Sequence, residues 1–180
     1  NYETEEAENI IILRGSATEA AREAIDHLVA EGKKVGMVAV HLYRPFSVKH
    51  LFAAVPATVK KIAVLDRTKE PGAEGEPLYL DVKSAYYDQE NRPVIVGGRY
   101  GLGSSDITPA KIISVFNNLE LPEPKNHFTV GIVDDVTFTS LPAVEEMALG
   151  GKSIYEAKFF GLGADGTVGA NKNSVKIIGD

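Results

Sequence analysis

Short apolar segments alternate with segments of helical spacing along most of the 180-residue chain. The apolar segments have the length of buried strands and lie at residues 9–14, 34–42, 61–65, 93–96 and 128–132. Apolar side chains recur at helical spacing at residues 20–29, 48–55, 78–87 and 109–119. Strands that alternate with helices in this way form mostly parallel sheets. The sequence therefore predicts an α/β fold, a mostly parallel five-stranded sheet flanked by helices.

Start and stop signals support two of these helices. Ser16 and Glu19 have the spacing of a capping box ahead of the first helix, and Gly32 is placed to end it. Thr108 followed by Pro109 is a typical helix start, with the hydroxyl as cap and proline at the first helical position. We therefore expect capped helices to begin near residues 17 and 109.

The composition excludes several classes of function. Lys and Arg number 19 against 25 Asp and Glu, and no dense basic run provides a surface for nucleic acid or anionic membranes. No apolar stretch approaches the roughly 18 residues of a membrane-spanning helix. The chain has no Cys, which excludes disulfides and thiolate-bound metal centres within it. We expect no nucleic-acid or membrane partner and a cytoplasmic location.

Three loops follow predicted strands, at residues 15–18, 66–75 and 97–106. Because the carboxyl ends of parallel strands lie at one edge, we expect these loops to meet there, where ligands of such sheets bind. The third loop offers Arg99, Ser104, Ser105 and Thr108 as possible contacts to an anion. We favour the alternative that it is a long turn ending in a helix cap.

A second strand–loop–helix pattern begins after a boundary that we place at residues 141–153. Residues 154–160 predict a strand, residues 161–166 have the pattern G-x-G-x-x-G, and a helix is predicted from Thr167. Such a loop either turns backbone amides toward a phosphate or makes a tight turn, and the spacing leaves both open. We therefore divide the chain into an α/β domain, 1–145, and the incomplete start of a second domain, 146–180.

No catalytic or metal centre is evident from the residues themselves. Asp134 and Asp135 are adjacent, so an extended backbone directs them to opposite faces. The four His residues lack metal-ligand spacing, and we expect them to be structural or exposed: His27, His41, His50 and His127. We predict no catalytic residue and no metal site in this chain.

Several phrases, taken in order, resemble the middle of the pyruvate:ferredoxin (flavodoxin) oxidoreductase polypeptide. The phrase HLYRPF, at residues 41–46, resembles a strand end of transketolase C-terminal-like domains. The other phrases are LDRTKEPGA at residues 65–73, GEPL at 75–78, GGRYGLGS at 97–104, DDVT at 134–137 and FFGLGADGTVGANK at 159–172. The resemblance extends over nearly the whole chain and identifies it as a segment of this family.

The resemblance implies a large, usually homodimeric cytoplasmic enzyme. The family converts pyruvate and coenzyme A to acetyl-CoA and CO₂ and passes electrons to ferredoxin or flavodoxin; relatives use other 2-oxo acids. Its cofactors are thiamine diphosphate, Mg²⁺ and [4Fe–4S] clusters, and the clusters need Cys ligands that this chain lacks. We expect residues 1–145 to be the transketolase C-terminal-like domain and 146–180 a linker and the start of the gamma domain.

The segment itself is expected to be non-catalytic, to bind no cofactor alone and to pack against other domains of the same polypeptide. Coenzyme A binding in the family involves the gamma domain, so the resemblance implies a coenzyme A loop in the second part of the chain. The candidate residues are Gly161, Gly163, Asp165, Gly166, Thr167, Gly169, Asn171 and Lys172. The alternative is a stand-alone α/β module that binds a phosphate or nucleotide.

Overall fold

The protein forms two compact units, Asn1–Leu149 and Gly150–Asp180. The structure, a computed structural model, describes residues 1–133, 136–146, 157–161, 163 and 165–178. Asp134, Asp135 and most of the predicted boundary segment therefore lie outside the described residues.

The first unit contains a parallel five-stranded sheet. Its strands are β1 (Asn9–Leu13), β2 (Val35–Ala39), β3 (Lys61–Asp66), β4 (Val94–Arg99) and β5 (Phe128–Thr129). They lie in the order β2-β1-β3-β4-β5, and every neighbouring pair is parallel. The predicted α/β fold class is confirmed.

Four helices of this unit and one of the second match the predicted positions closely. They are α1 (Ala17–Ala30), α2 (Val48–Ala54), α3 (Pro77–Ala85), α4 (Pro109–Glu120) and, in the second unit, α5 (Thr167–Ile178). A 3₁₀ turn at Leu102–Ser104 precedes α4.

Helices cover both faces of the sheet, and β1 supplies side chains to both resulting cores. Ile11 and Leu13 pack in a cluster with residues of α1 and α4. Ile10 and Ile12 pack in the other cluster, with residues of α2 and α3. Successive side chains of a strand point to opposite faces, so an all-apolar strand fits only where both faces are covered. All four side chains are fully buried.

The helix ends agree only in part with the prediction. Thr108 caps α4, since its hydroxyl oxygen accepts from the Lys111 amide at 3.4 Å. The predicted capping box is wrong, because Ser16 has a helical backbone (φ −62°, ψ −22°) that keeps its side chain from capping. Gly32, at φ +83°, ends α1 as predicted, with its amide bonded to the Val29 carbonyl.

Three strand boundaries, those of β2, β4 and β5, differ from the prediction by more than one residue. Strand β5 ends at Thr129 rather than residue 132, and Gly131, at φ +87°, lies outside the extended region. Strand β2 ends at Ala39 rather than residue 42, because its partner β1 ends at Leu13 and offers no further ladder. Strand β4 runs on through Gly97 and Gly98, which the prediction placed in a loop. A Cβ atom at Gly97 would lie 2.8 Å from the Tyr79 ring, and one at Gly98 would lie 2.2 Å from the Phe128 ring. These glycines make room for aromatic side chains.

The outer edge of β2 is covered by the first residues of the chain. Tyr2 exchanges two backbone hydrogen bonds with Met37, at 2.8 and 2.9 Å, in an antiparallel bridge. A Cβ atom at Gly36 would lie 2.5 Å from the carbonyl oxygen of Glu3, so the close approach requires glycine there. The N-terminal residues therefore pair with β2 on the side opposite β1.

Asp66, the last residue of β3, joins this strand to α3. Its side chain is fully buried, and its carboxylate accepts the amides of Leu78 at 3.2 Å and Tyr79 at 3.1 Å. These amides belong to the first turn of α3, which has no helical acceptors for them. Burial raises the pKa of Asp66, and the two amides and the charge of Arg14 oppose that rise.

In the second unit, α5 is the one helix among the described residues. None of its residues is buried. Residues 157–160 carry no strand, whereas the rest of the strand predicted at 154–160 lies outside the described residues. Across the described residues, no helix combines the length and the hydropathy needed to span a membrane.

We expect replacement of Asp66 to change how stability depends on pH. An acid whose pKa is raised by folding holds its proton more tightly in the native state. That stabilisation is complete below the unfolded pKa, close to 3.8, and is lost as the pH rises through the raised native value. Urea unfolding from pH 3.5 to 6.5 should therefore show the parent chain losing stability relative to Asp66→Asn. The exposed Asp88→Asn is the control, and parallel curves for all three proteins would contradict this assignment.

Hydrogen exchange should separate α4 from α5, which each have 12 residues. Eight residues of α4 are buried and none of α5, and a helix of about 12 residues is marginal in water without packing. In the 180-residue chain, α4 amides should exchange at least about 100-fold more slowly than α5 amides. Equal protection of the two helices would show that α5 is packed in solution.

Candidate functional site

The carboxyl edge of the sheet brings together the three loops that were expected to meet there. The Tyr100 hydroxyl, after β4, donates to the Arg14 carbonyl, after β1, at 3.1 Å. A Cβ atom on Gly101 would lie 2.8 Å from Nε of Arg67, which follows β3. The expectation that these loops share one edge is confirmed.

At this edge, residues that follow β1, β2, β3 and β4 line an open crevice of about 370 Å³. Arg14, Ser16, His41 and Arg67 contribute polar side chains to its lining, and the Tyr43 and Tyr100 rings also line it. The sequence analysis missed Arg14 and Arg67 as site residues. The available signal was their position, since each directly follows a buried strand in a parallel sheet.

Arg99, considered from sequence as a contact to an anion, is held in a buried ion pair. Its Nε donates to Oε1 of Glu76, and its Nη1 donates to the His127 carbonyl at 3.3 Å. Glu76 is 1% exposed and the Arg99 side chain 14%. Because a buried charge without its partner is strongly destabilising, this pair ties β4 to the start of α3. Oε2 of Glu76 is buried and has no hydrogen-bond partner among the described residues.

Tyr43 is the centre of a second polar cluster near the same edge. Its hydroxyl donates to Oδ2 of Asp81 at 2.6 Å, and Arg44 donates to the same oxygen at 2.7 Å. Burial, followed by the hydrogen bond to Asp81, raises the pKa of Tyr43 to about 12. The phenol therefore stays protonated at neutral pH. The Arg14 guanidinium carbon lies 4.6 Å from the centre of the Tyr43 ring, a cation–π distance.

The hydroxyl groups after β4 have structural partners, as the favoured alternative predicted. Ser105 donates to the Gly131 carbonyl at 2.9 Å. Thr108 caps α4 and donates to Oε1 of Glu146 at 2.8 Å. Ser104 is exposed at the end of the 3₁₀ turn. This loop is a turn followed by a capped helix.

The glycine-rich loop of the second unit is described at Gly161, Gly163 and from Asp165 onward. Gly163 and Gly166 have φ values of +104° and +84°, which favour glycine. A Cβ atom on Gly161 would lie 3.2 Å from Oγ1 of Thr167 and 3.3 Å from Nδ2 of Asn171. The structure thus brings Gly161, Thr167 and Asn171 together, while Gly169 lies on α5 with open space beside it.

Polar side chains of this loop stabilise the start of α5. Oδ1 of Asp165 accepts the Thr167 amide at 3.0 Å and also the Thr167 hydroxyl. These hydrogen bonds lower the pKa of Asp165, the one from the Thr167 hydroxyl most. Asn171 donates to the Phe160 carbonyl at 2.8 Å. Lys172 is exposed and is the one positively charged side chain among the predicted residues.

The histidines are dispersed in the structure as in the sequence. His50 contacts the Ser47 hydroxyl at 2.7 Å, His27 lies 3.4 Å from Glu31, and His127 packs edge-on against Tyr79. In the part of the chain that the structure describes, His, Asp and Glu form no group of three able to hold a metal ion. Asp134 and Asp135 lie outside that part.

Comparison with known proteins finds closely similar sequences. The pyruvate-flavodoxin oxidoreductase of Enterobacter agglomerans is 57% identical over 180 residues, which are 99% of this chain and 15% of that protein. The pyruvate:ferredoxin oxidoreductase of Moorella thermoacetica is 54% identical over 175 residues, 97% of this chain and 15% of that protein. The chain thus spans about 15% of the length of these curated relatives.

Among solved structures, the chain is similar to 2-oxoglutarate:ferredoxin oxidoreductase from Magnetococcus marinus, with 2-oxoglutarate, coenzyme A and succinyl-CoA bound. The identity is 26% and the TM-score 0.45, over 62% of this chain and 18% of that one.

A family model supports the similarity to these relatives. The model described as pyruvate:ferredoxin oxidoreductase core domain II matches residues 7–112. That range contains four of the five strands and lies within the first unit. Since the matched range is more than half of the sequence, the chain belongs to the pyruvate:ferredoxin oxidoreductase family.

Proposed function

We propose that this chain is the domain II segment of an enzyme that oxidatively decarboxylates pyruvate. The enzyme combines pyruvate with coenzyme A to give acetyl-CoA, CO₂, a proton and two electrons, which pass to ferredoxin or flavodoxin. The observation that carries the proposal is the 57% identity to a pyruvate-flavodoxin oxidoreductase over 99% of the chain. The same similarity favours a segment of a larger enzyme over a stand-alone binding module.

Within that enzyme the first unit has an architectural role. Its buried charges serve internal joints: Asp66 holds α3 on β3, and the Glu76–Arg99 pair holds α3 on β4. The residues of this chain do not fit an iron–sulfur cluster, because it contains no Cys. The clusters, thiamine diphosphate and its Mg²⁺ are therefore assigned to other domains of the same polypeptide, which we propose to be a cytoplasmic homodimer.

For the second unit we propose a contact to coenzyme A through residues 161–172. The positive φ of Gly163 and Gly166 leaves backbone amides unshielded by side chains, and Lys172 offers a positive charge to the phosphates. The Asp165 carboxylate already accepts the Thr167 amide and repels a phosphate at that point. The contact therefore avoids the Thr167 amide and uses the backbone at Gly161, Gly163 and Gly166 together with Lys172, while Asp165, Thr167, Gly169 and Asn171 shape the helix start.

Recovery of the native protein tests the proposed enzyme. An antibody raised against the 180-residue chain should capture from its source cells an iron-containing polypeptide several times longer. The captured protein should reduce a low-potential viologen dye only when pyruvate and coenzyme A are both present. Antibody pre-saturated with the chain is the control, and 2-oxoglutarate in place of pyruvate tests the substrate. An iron-free protein of the chain's own size, without activity, would overturn the proposal.

The loop is tested by Gly166→Val in the complete enzyme. A branched side chain at φ +84° strains the turn and covers the amides, and loss of one or two hydrogen bonds to phosphate is worth about tenfold in affinity. The KM for coenzyme A should therefore rise about tenfold or more, with the KM for pyruvate unchanged. Gly72→Val is the matched control, because Gly72 also has a positive φ (+82°) and open space around it. Equal effects of both variants would contradict the coenzyme A contact.

A further inference from the structure

The crevice at the carboxyl edge lies where the chain reverses direction across the sheet. From β1 the chain passes through α1 to β2 on one side, and then through α2 to β3 on the other side of β1. Loops that leave β1 and β3 therefore diverge and open a gap between them. In doubly wound sheets this switch point is the usual place for ligands. Here the gap is the 370 Å³ crevice that lies entirely in the first unit.

Two arginines give this crevice a positive charge. Arg14 follows β1 and Arg67 follows β3, and no acidic side chain among the described residues lines the crevice. Among the described residues, Arg44 and Arg99 pair with carboxylates, whereas neither Arg14 nor Arg67 has a salt bridge or a side-chain hydrogen bond. The carboxylate of Asp66 is near enough to Arg14 to feel its charge, but it is buried and already accepts hydrogen bonds from two α3 amides. Among the described residues, neither guanidinium is therefore in direct contact with a carboxylate.

The arginines are held in place by groups other than acids. The Arg14 guanidinium carbon lies 4.6 Å from the centre of the Tyr43 ring, and Tyr43 is itself fixed by Asp81. Arg67 lies against Gly101, whose missing side chain leaves room for it. Burial raises the pKa of Tyr100, and the positive charges of Arg67 and Arg14 oppose this rise. Both guanidinium groups therefore lie near the Tyr100 hydroxyl. Two positioned guanidinium groups suit the planar, multidentate binding of phosphate oxygens.

The start of α1 adds polar groups to the same crevice. The Ser16 hydroxyl makes no capping bond, and Gly15, at φ +75°, has open space beside its Cα. Both residues line the crevice, as does the exposed His41. Helix α1 has 14 residues, and its N-terminal dipole favours an anion at this end.

We propose that this crevice binds a phosphate-bearing ligand, with Arg14 and Arg67 contacting the phosphate oxygens and Ser16 donating a further hydrogen bond. A volume of about 370 Å³ lies at the small end of ligand pockets and accommodates a diphosphate or a small phosphorylated metabolite. The proposal does not rest on the proposed function, because the crevice and its residues belong to the first unit alone.

Pyrophosphate is the probe, titrated into the 180-residue chain at 150 mM NaCl and followed by amide chemical shifts in NMR. We expect saturable shifts confined to residues 14–18, 40–43, 67 and 100–101. Arg67→Gln and Arg14→Gln should each weaken binding at least about tenfold. Arg67 is exposed, so its variant tests the site even if Arg14→Gln, which loses the Tyr43 contact, disturbs the fold. The exposed Arg92→Gln, away from the crevice, should bind as the parent does.

Two comparison ligands define the chemistry. Succinate, a dianion without phosphate, should bind at least about tenfold more weakly than pyrophosphate. Coenzyme A distinguishes two sources of the phosphate. If coenzyme A displaces pyrophosphate, the crevice is assigned to coenzyme A; if it does not, the crevice is assigned to another phosphate compound. The proposal is overturned by shifts scattered over exposed lysines, by equal binding of succinate, or by an Arg92→Gln effect as large as that of Arg67→Gln.

Discussion

Burial of β1 and β3 on both faces is the constraint on which the first unit depends. Parallel neighbours cannot be joined by tight turns, so each connection crosses a face of the sheet and covers it with a helix. The apolar side chains of Ile10, Ile11, Ile12 and Leu13 are all buried because helices cover both faces of the sheet in this way. The same crossings return every loop after a strand to one edge, where the polar residues accumulate.

At that edge, some charged side chains hold the elements of the fold together, and others face the crevice proposed to bind a ligand. Asp66 and the Glu76–Arg99 pair are buried, and each joins a strand end to the first turn of α3. Arg14 and Arg67 sit on the solvent side of these joints, without carboxylate partners among the described residues. Two arginines without carboxylate partners suit the binding of an anion rather than acid–base catalysis.

Apolar periodicity was sufficient to predict the fold class, the helices and the shared loop edge. It failed where a residue's role depends on a distant neighbour. Gly97 and Gly98 suggested a loop, yet they are strand residues that make room for Tyr79 and Phe128, which come from other elements. Arg99 was only one possible anion contact beside the favoured turn, and its partner Glu76, 23 positions away, could not be read from the sequence. The residues predicted for coenzyme A stay a prediction, since their support comes from the loop's own geometry.

The pairing of Tyr2 with Met37 protects an outer strand of the sheet. Strand β2 is an outer strand, and an uncovered outer strand is a template on which another chain can add. The N-terminal residues occupy those backbone groups in antiparallel fashion, and Gly36 allows them to approach without hindrance. The pairing of residues 1–3 with β2 therefore blocks the addition of a strand from another chain at this edge of the sheet.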